Sequence, residues 1–228
     1  MRSQEPIVIS NFERLASTIY RFKPCDLVIA TAHHGHFIAF INSCSRQGIP
    51  LSVCYRAASQ SYLDAAAKNQ LRLVNLGAQN SVLSLFDILD SERARGYYVV
   101  IMMDGAFQSR RYFDFLRYQV KGSSLASLYA QKTCSALLPL ISHASDNLQI
   151  GFSDASVIEM ADNTTAQKLL NFLQATILHQ PFQYRWLSSS ILMSDEIART
   201  NAVGFLFDVL RWRDRFQLEP LALRESDG

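Results

Sequence analysis

Short apolar runs alternate with segments of helical periodicity along this chain, and the alternation restricts the fold more than any other feature. The runs are rich in β-branched and aromatic residues and predict strands at 26–32, 51–56, 71–76 and 96–103. Strands that alternate with helices along a chain usually form a parallel sheet with helices on its faces. We therefore expect an α/β fold in which helices flank a mainly parallel, mixed central sheet.

The segments between and after these runs predict helices. Residues 36–48 predict a helix that ends before Pro50, residues 60–70 look helical, and Asn80 is expected to begin an amphipathic helix. Residues 121–133 predict a turn followed by a helix. Thr164 and Gln167 have the spacing of a capping box, which predicts a helix that buries Leu169, Phe172, Leu173 and Ile177. A last helix is predicted at 195–215, and further strands at 111–116, 135–141 and 147–152.

The composition is typical of one globular domain. Of the 228 residues, 49% are hydrophobic and 18% are charged, which is enough apolar material for a sizeable core. No repeat, low-complexity segment or linker divides the sequence, so we expect a single domain over residues 1–228. The formal charge is only +2, and this balance gives no indication of a nucleic-acid partner.

Cysteine usage and hydropathy predict the compartment. The four cysteines contain no CxxC pair and three lie in apolar stretches, which favours reduced, buried thiols in a reducing compartment. The N-terminal residues lack the apolar run of a signal peptide, and no segment approaches the ~20 apolar residues of a membrane-spanning helix. We expect a cytoplasmic protein without a transmembrane segment, either free in the cytoplasm or peripheral to the inner membrane.

Three of the five histidines, His33, His34 and His36, follow the first predicted strand in the sequence "TAHHGHFIAF". They could bind a metal, act as a base, or occupy a solvated turn. They lie too close in sequence to supply three ligands to one zinc ion, and no cysteine pair or HExxH motif supports them, so we expect no metal. An imidazole titrates near neutral pH, which suits proton removal from a hydroxyl or amine.

Other chemically active side chains also occur at or near the predicted strand ends, where sites of parallel sheets gather. Asp104 follows the most apolar strand, and the cations in such positions are Arg56, Arg110, Arg111 and Lys121. The cations could bind phosphates of a pantetheine arm or a coenzyme, or could be ordinary solvated residues. The sequence has no G-x-S-x-G elbow and no Walker loop, so neither a serine hydrolase nor an NTPase is indicated.

An apolar strand followed by "HHGHFI" resembles the first block of the lysophospholipid acyltransferase superfamily, and is most similar to the late (lauroyl/myristoyl) acyltransferases of lipid A synthesis, which read roughly H-F-G-N-W-E. Further segments resemble that family's blocks in the same order: "SVCYR", "VVIMMDGAF", "FLRYQVKGSSLASLYAQKTCSALLPLI" and "HQPFQYRWL". The resemblance spans roughly residues 25–190.

The resemblance implies an acyltransferase that uses a thioester donor, carried by acyl carrier protein or coenzyme A, and a hydroxyl or amine acceptor. It makes His33 the general base. Asp104 matches the position of the family's second acidic block and is the best candidate for the carboxylate partner of His33; the alternative is that Asp104 caps a turn or pairs with Arg110 or Arg111. The resemblance also assigns substrate binding to Gly35 and His36 of the first block and to Arg56. It implies no tightly bound cofactor, and it makes an acyl or peptidyl carrier protein the expected partner.

The sequence departs from the family in three places. Ile38 stands where the family has an acid five residues after its histidine, and His36 stands where relatives have asparagine. The first block comes early, without the N-terminal membrane helix of the lipid A enzymes, which favours a soluble or carrier-bound acceptor. Two other functions stay open: a non-catalytic relative that acts as a binding or scaffold protein, and a thioester hydrolase in which water replaces the acceptor.

Overall fold

The computed structural model describes residues 11–32, 37–55, 64, 66–67, 71–76, 81–104, 111–115, 118–144, 150–154 and 156–181. Its strands are β1 (Leu27–Thr31), β2 (Leu51–Tyr55), β3 (Arg72–Asn75), β4 (Tyr98–Met102), β5 (Tyr112–Phe115), β6 (Tyr118–Lys121), β7 (Ala136–Ala144) and β8 (Ile150–Asp154). Its longer helices are α1 (Phe12–Tyr20), α2 (Phe37–Arg46), α3 (Val82–Ala94), α4 (Leu125–Lys132) and α5 (Thr165–His179), and a 3₁₀ turn covers Pro24–Asp26.

Six of the strands form one sheet in the order β3–β2–β4–β1–β7–β8. The first five run parallel to their neighbours, and β8 pairs antiparallel with β7. The remaining two strands, β5 and β6, form a separate antiparallel hairpin. The expected α/β fold with a mainly parallel, mixed sheet and flanking helices is confirmed, and β1 and β4 lie at the centre of the sheet.

Helices cover both faces of the sheet, which explains why its strands are continuously apolar rather than alternating. All five residues of β1 are buried. Val28 and Ala30 face the core formed with α3, α4 and α5. Leu27 and Ile29 point to the opposite face, where α1 and α2 pack. The two-residue period of a strand thus divides one apolar run between two cores.

The hairpin was predicted only in part: the strand expected at 111–116 is confirmed as β5, whereas β6 and the helix α1 were not predicted. Residues 118–121 form β6, and the turn expected from residue 121 onward begins only after that strand. Gly122 permits the hairpin to lie close to α5, because a Cβ atom there would be 2.8 Å from side-chain carbons of both Leu170 and Phe113. The hairpin therefore packs closely against α5 at Gly122, a residue without a side chain.

The predicted capping box at the start of α5 is wrong, although the helix itself is confirmed. Thr164 makes no side-chain capping bond. Instead, Asp162 Oδ1 accepts hydrogen bonds from the Thr164 hydroxyl (2.7 Å), the Thr165 hydroxyl (2.9 Å) and the Thr164 N–H (2.9 Å). These bonds hold the pKa of the Asp162 carboxyl well below its usual range.

Gln167, the other half of the expected capping box, contacts the hairpin instead. Its Nε2 donates to the Asp114 carbonyl at 2.8 Å, and the Asp114 N–H donates to its Oε1 at 3.0 Å. The side-chain amide therefore occupies the free backbone edge of β5, as a neighbouring strand would. Of the apolar residues expected inside α5, Phe172 is half-buried and the others are buried.

Two other helical predictions differ in detail. The N-cap of α3 is Ser81 rather than Asn80, and Ser81 Oγ accepts from the Ser84 N–H at 3.1 Å. Most of residues 60–70, and the whole of the helix predicted at 195–215, lie outside the described residues. Within the part of the chain that the structure describes, no helix has the length and apolar character needed to cross a bilayer.

Candidate functional site

The carboxyl ends of the central strands lie level with one another at one edge of the sheet. Thr31, the last residue of β1, is paired with Met102, the last residue of β4. The pairing continues one step further, because the Met103 N–H donates to the Thr31 carbonyl at 2.6 Å. Val53 of β2 is level with Val100, so β2 and β4 also end together. This edge is where a parallel sheet usually holds its ligands.

Asp104 is the described residue that best fits a functional role at this edge. It lies in a turn two residues beyond β4 and its side chain is fully buried (0% exposed). Burial of a carboxylate is costly unless the group is hydrogen-bonded or paired, and Asp104 does take part in a polar or electrostatic interaction. A buried acid at the end of a central strand is therefore stronger evidence for a functional site than a surface acid would be.

The other predicted residues at this edge, His33, Gly35, His36, Arg56 and Arg110, lie outside the described residues, and their roles stay predictions. Their neighbours in sequence are described. His33 comes two residues after Thr31, and Asp104 comes two residues after Met102, the partner of Thr31. Tyr55, which directly precedes Arg56, is half-buried at the end of β2.

The structure brings Arg111 and Lys121 to one end of the hairpin. Lys121 pairs with Tyr112, and Arg111 directly precedes Tyr112 and is exposed. This is the open end of the hairpin, at which the chain arrives from β4 and leaves toward α4. Two of the predicted phosphate-binding cations are thus neighbours in the fold.

Ile38 occupies the first turn of α2 and is half-buried. No acidic residue lies in that first turn. The acid that the acyltransferase resemblance would place at this position is therefore absent from the first turn of α2.

The carboxyl end of β7 was not predicted to belong to this edge. Ala30 of β1 is level with Pro139, so β7 continues for several residues beyond the last residue of β1. Ser142 is buried in this extension, and the half-buried His143 pairs with Gly151 of β8. The strand predicted at 135–141 ends before His143. The long run "SALLPLISHA" was the signal that could have placed it at the strand end.

A second polar cluster lies at the opposite, amino edge of the sheet and was not predicted at all. Arg93 is only 7% exposed; its Nη2 donates to Ser135 Oγ at 2.6 Å, and its Nε donates to the Pro24 carbonyl at 3.2 Å. Its guanidinium lies 5.4 Å from the ring centre of Tyr129. The Tyr129 hydroxyl donates to Asp90 Oδ1 at 2.7 Å.

The contacts of this cluster are those of a structural element. Arg93 uses them to join the end of α3 to the segments that precede β1 and β7. Burial raises the pKa of the Tyr129 hydroxyl, so this group stays neutral as a donor to Asp90. Because Nη1 also donates to the Tyr129 hydroxyl at 3.4 Å, every nitrogen of the Arg93 guanidinium is engaged, and the group is not available to a ligand.

The cysteines divide into two classes, whereas the sequence predicted buried thiols. Cys44 and Cys54 are buried, and burial raises the pKa of Cys54 to about 12 and that of Cys44 as well. Cys25 and Cys134 are exposed. No group of three His, Cys, Asp or Glu side chains suited to a metal occurs among the described residues, a set that excludes His33, His34 and His36.

Comparisons with known proteins assign no family. No protein-family model matches the sequence, and no curated protein is significantly similar to it. The resemblance of its motifs to the acyltransferase superfamily therefore remains a prediction.

Proposed function

We propose that this protein is an acyltransferase. It moves an acyl group from a thioester on acyl carrier protein or coenzyme A to the hydroxyl or amine of a soluble or carrier-bound acceptor. The observation that carries the proposal is the fully buried Asp104 at the end of β4, beside the strand whose sequence leads into His33. A buried acid and a histidine at adjacent strand ends are the parts of a general-base catalyst.

In the proposed reaction, His33 removes the proton from the acceptor's hydroxyl or amine as the acceptor attacks the thioester carbonyl. The tetrahedral intermediate then collapses, the carbon–sulfur bond breaks, and the histidine returns the proton to the departing thiolate. Backbone N–H groups near the histidine turn stabilise the oxyanion. Asp104 accepts a hydrogen bond from the second ring nitrogen, which selects the reactive tautomer and stabilises the imidazolium.

Two observations support Asp104 as the orienting acid. The first turn of α2, which follows the histidine cluster, contains Ile38 and no acid. Thr31 and Met102 are paired; His33 comes two residues after Thr31, and Asp104 comes two residues after Met102. Electrostatic interactions strengthen in a buried site, so a fully buried carboxylate is well suited to hold an imidazolium.

The donor's phosphates are assigned to cations that follow, precede or end strands of the fold. Arg56 follows β2, Arg110 and Arg111 precede β5, and Lys121 ends β6. Arg111 and Lys121 belong to the same end of one hairpin, which supports a shared phosphate-binding role for them. Gly35 and His36 would contact the acyl or acceptor group. The proposal includes a cytoplasmic location, a carrier-protein partner and no tightly bound cofactor.

A second function is favoured by Ile38. A relative that lost its orienting acid and kept the fold would act as a binding or scaffold protein, and an isoleucine in the first turn of α2 is what such a loss would leave. The two functions differ in one measurable property, turnover of a thioester.

The test offers the full-length protein a series of acyl-coenzyme A and acyl carrier protein thioesters, with and without a panel of hydroxyl and amine acceptors. Product masses should be measured directly, because the exposed Cys25 and Cys134 would react with thiol-detecting dyes. We expect acyl transfer that requires an acceptor and is lost in His33→Ala. Equal turnover without any acceptor would identify a hydrolase, and no turnover of any donor would support the scaffold.

A further inference from the structure

Two exposed cysteines lie at the amino edge of the sheet, at the start of neighbouring strands. Leu27 of β1 is paired with Ala136 of β7. Cys25 and Cys134 each come two residues before these partners, and both are exposed. Neighbouring strands are about 4.8 Å apart, and a disulfide joins Cα atoms about 4.4–6.8 Å apart. The pairing of Leu27 with Ala136 therefore brings the segments that contain the two cysteines side by side.

Hydrogen bonds already hold the two segments together. The Ser135 hydroxyl, next to Cys134, donates to the Cys25 carbonyl at 3.3 Å. The buried Arg93 donates both to Ser135 Oγ and to the Pro24 carbonyl, so it joins the residue after Cys134 to the residue before Cys25. Because the backbone is held in place before any covalent bond forms, little further ordering is needed to bring the thiols together.

The backbone of Cys134 is unusual for its residue type. It has φ of 51°, in the left-handed region, directly after the C-cap residue of α4. Glycine or asparagine normally occupies this position because they tolerate that conformation. A side chain that persists in a strained backbone position suggests that the side chain itself has a use.

We propose that Cys25 and Cys134 are a redox-active pair that closes to an intramolecular disulfide. The oxidant is a low-molecular-weight disulfide such as oxidised glutathione. One cysteine thiolate attacks a glutathione sulfur, the glutathione disulfide breaks, and one glutathione leaves as a thiolate. The second cysteine thiolate then attacks the protein sulfur of the mixed disulfide and expels the second glutathione. The two cysteine protons end on the two glutathione thiols, and the protein has lost two electrons to the oxidant.

The bond would fasten β1 to β7 far from the candidate site. The strands run for about 15 Å between this edge and the edge that carries Asp104. Oxidation is therefore expected to change stability rather than acyl transfer. The disulfide closes a loop of about 110 residues, and long loops give the largest stabilisation in the chain-entropy description.

The experiment incubates the full-length native protein with oxidised glutathione, alkylates the remaining thiols after unfolding, and maps the peptides without reduction. We expect one linked pair, Cys25–Cys134, with Cys44 and Cys54 recovered as alkylated thiols. The melting temperature should rise on oxidation and return after reduction with dithiothreitol.

Serine variants supply the matched controls. Cys25→Ser and Cys134→Ser each leave one exposed thiol, which should accept a single glutathione and show no rise in melting temperature. The proposal fails if the wild-type protein carries one glutathione on each exposed cysteine without a link. It also fails if the only disulfides formed join two chains, or if the linked protein melts at the same temperature as the reduced one.

Discussion

Removal of the Arg93 guanidinium should destabilise the fold far more than removal of a neighbouring surface arginine. Arg93→Met keeps most of the apolar stem but deletes the donors to Ser135 Oγ (2.6 Å) and the Pro24 carbonyl (3.2 Å). Hydrogen bonds to charged groups contribute about 1.5–3 kcal/mol each. Two such bonds, partly offset by the removed cost of burying the charge, predict a loss of about 3 kcal/mol in the free energy of unfolding.

Arg95→Met is the matched control, because it removes an arginine two residues away. Arg95 contacts Glu92 at 3.1 Å, but its side chain is 57% exposed, and Arg72 also holds Glu92. Exposed ion pairs contribute at most about 1 kcal/mol. Urea denaturation followed by circular dichroism should therefore give a much lower midpoint for Arg93→Met than for Arg95→Met, with similar slopes.

The comparison can refute the structural account of the amino edge. Equal midpoints for the two variants would mean that the buried contacts of Arg93 contribute little, and the view that it fastens α3 to the starts of β1 and β7 would be wrong. A midpoint change accompanied by a large change in slope would instead place the effect in the unfolded state or in a loss of two-state behaviour.

Four further changes test other parts of the structure. Asp104→Asn should keep the fold, as checked by circular dichroism, and lower acyl transfer about 10²–10⁴-fold. A double variant with His33→Ala should lose little more activity, because the pair acts as a unit. Asp87→Asn, an exposed-acid control, should keep full activity, and full activity in Asp104→Asn would exclude the pairing of Asp104 with His33. Gly122→Ala should lower the free energy of unfolding by about 1–3 kcal/mol in urea titrations, because its methyl group overlaps the core. Cys134→Gly should raise that free energy in the reduced protein by about 0.5–1 kcal/mol, because glycine accepts the positive φ. The folded-state pKa of Asp162 is depressed, so this carboxylate stabilises the fold above its unfolded pKa of about 4, and the stabilisation is lost as pH falls toward the folded-state pKa. Asp162→Asn should therefore reduce the fall in melting temperature at acid pH. An unchanged dependence of melting temperature on pH would contradict the assignment.

The strands of the central sheet could be predicted because burial on both faces makes their sequences continuously apolar. "DLVIATA" and "GYYVVIMM" are continuously apolar, and the structure confirms both as central strands that end within two residues of the predicted bounds. The same reasoning placed Asp104 at a strand end, because a parallel sheet delivers the carboxyl ends of its strands to one edge.

Side-chain hydrogen bonds were less predictable, because sequence spacing does not say which of several partners a polar group will take. Thr164 and Gln167 have capping-box spacing, yet Gln167 binds the backbone of Asp114 in the hairpin. The hairpin itself depends on tertiary contacts, since its short strands pack through Gly122 against α5 rather than within the main sheet. A local pattern cannot encode a partner fifty residues away.

The sequence by itself determined the fold class, the central strands and the helices that cover them other than α1, because hydrophobic periodicity reports burial within each element. Only the tertiary structure decided which elements are neighbours. It set β1 between β4 and β7, which brings Asp104 level with the segment that leads to His33, and it joined the starts of β1 and β7 through Arg93 and Ser135. The physical reason is that strand order and register depend on contacts between distant segments, and those contacts form only when the apolar faces of the whole chain are buried together.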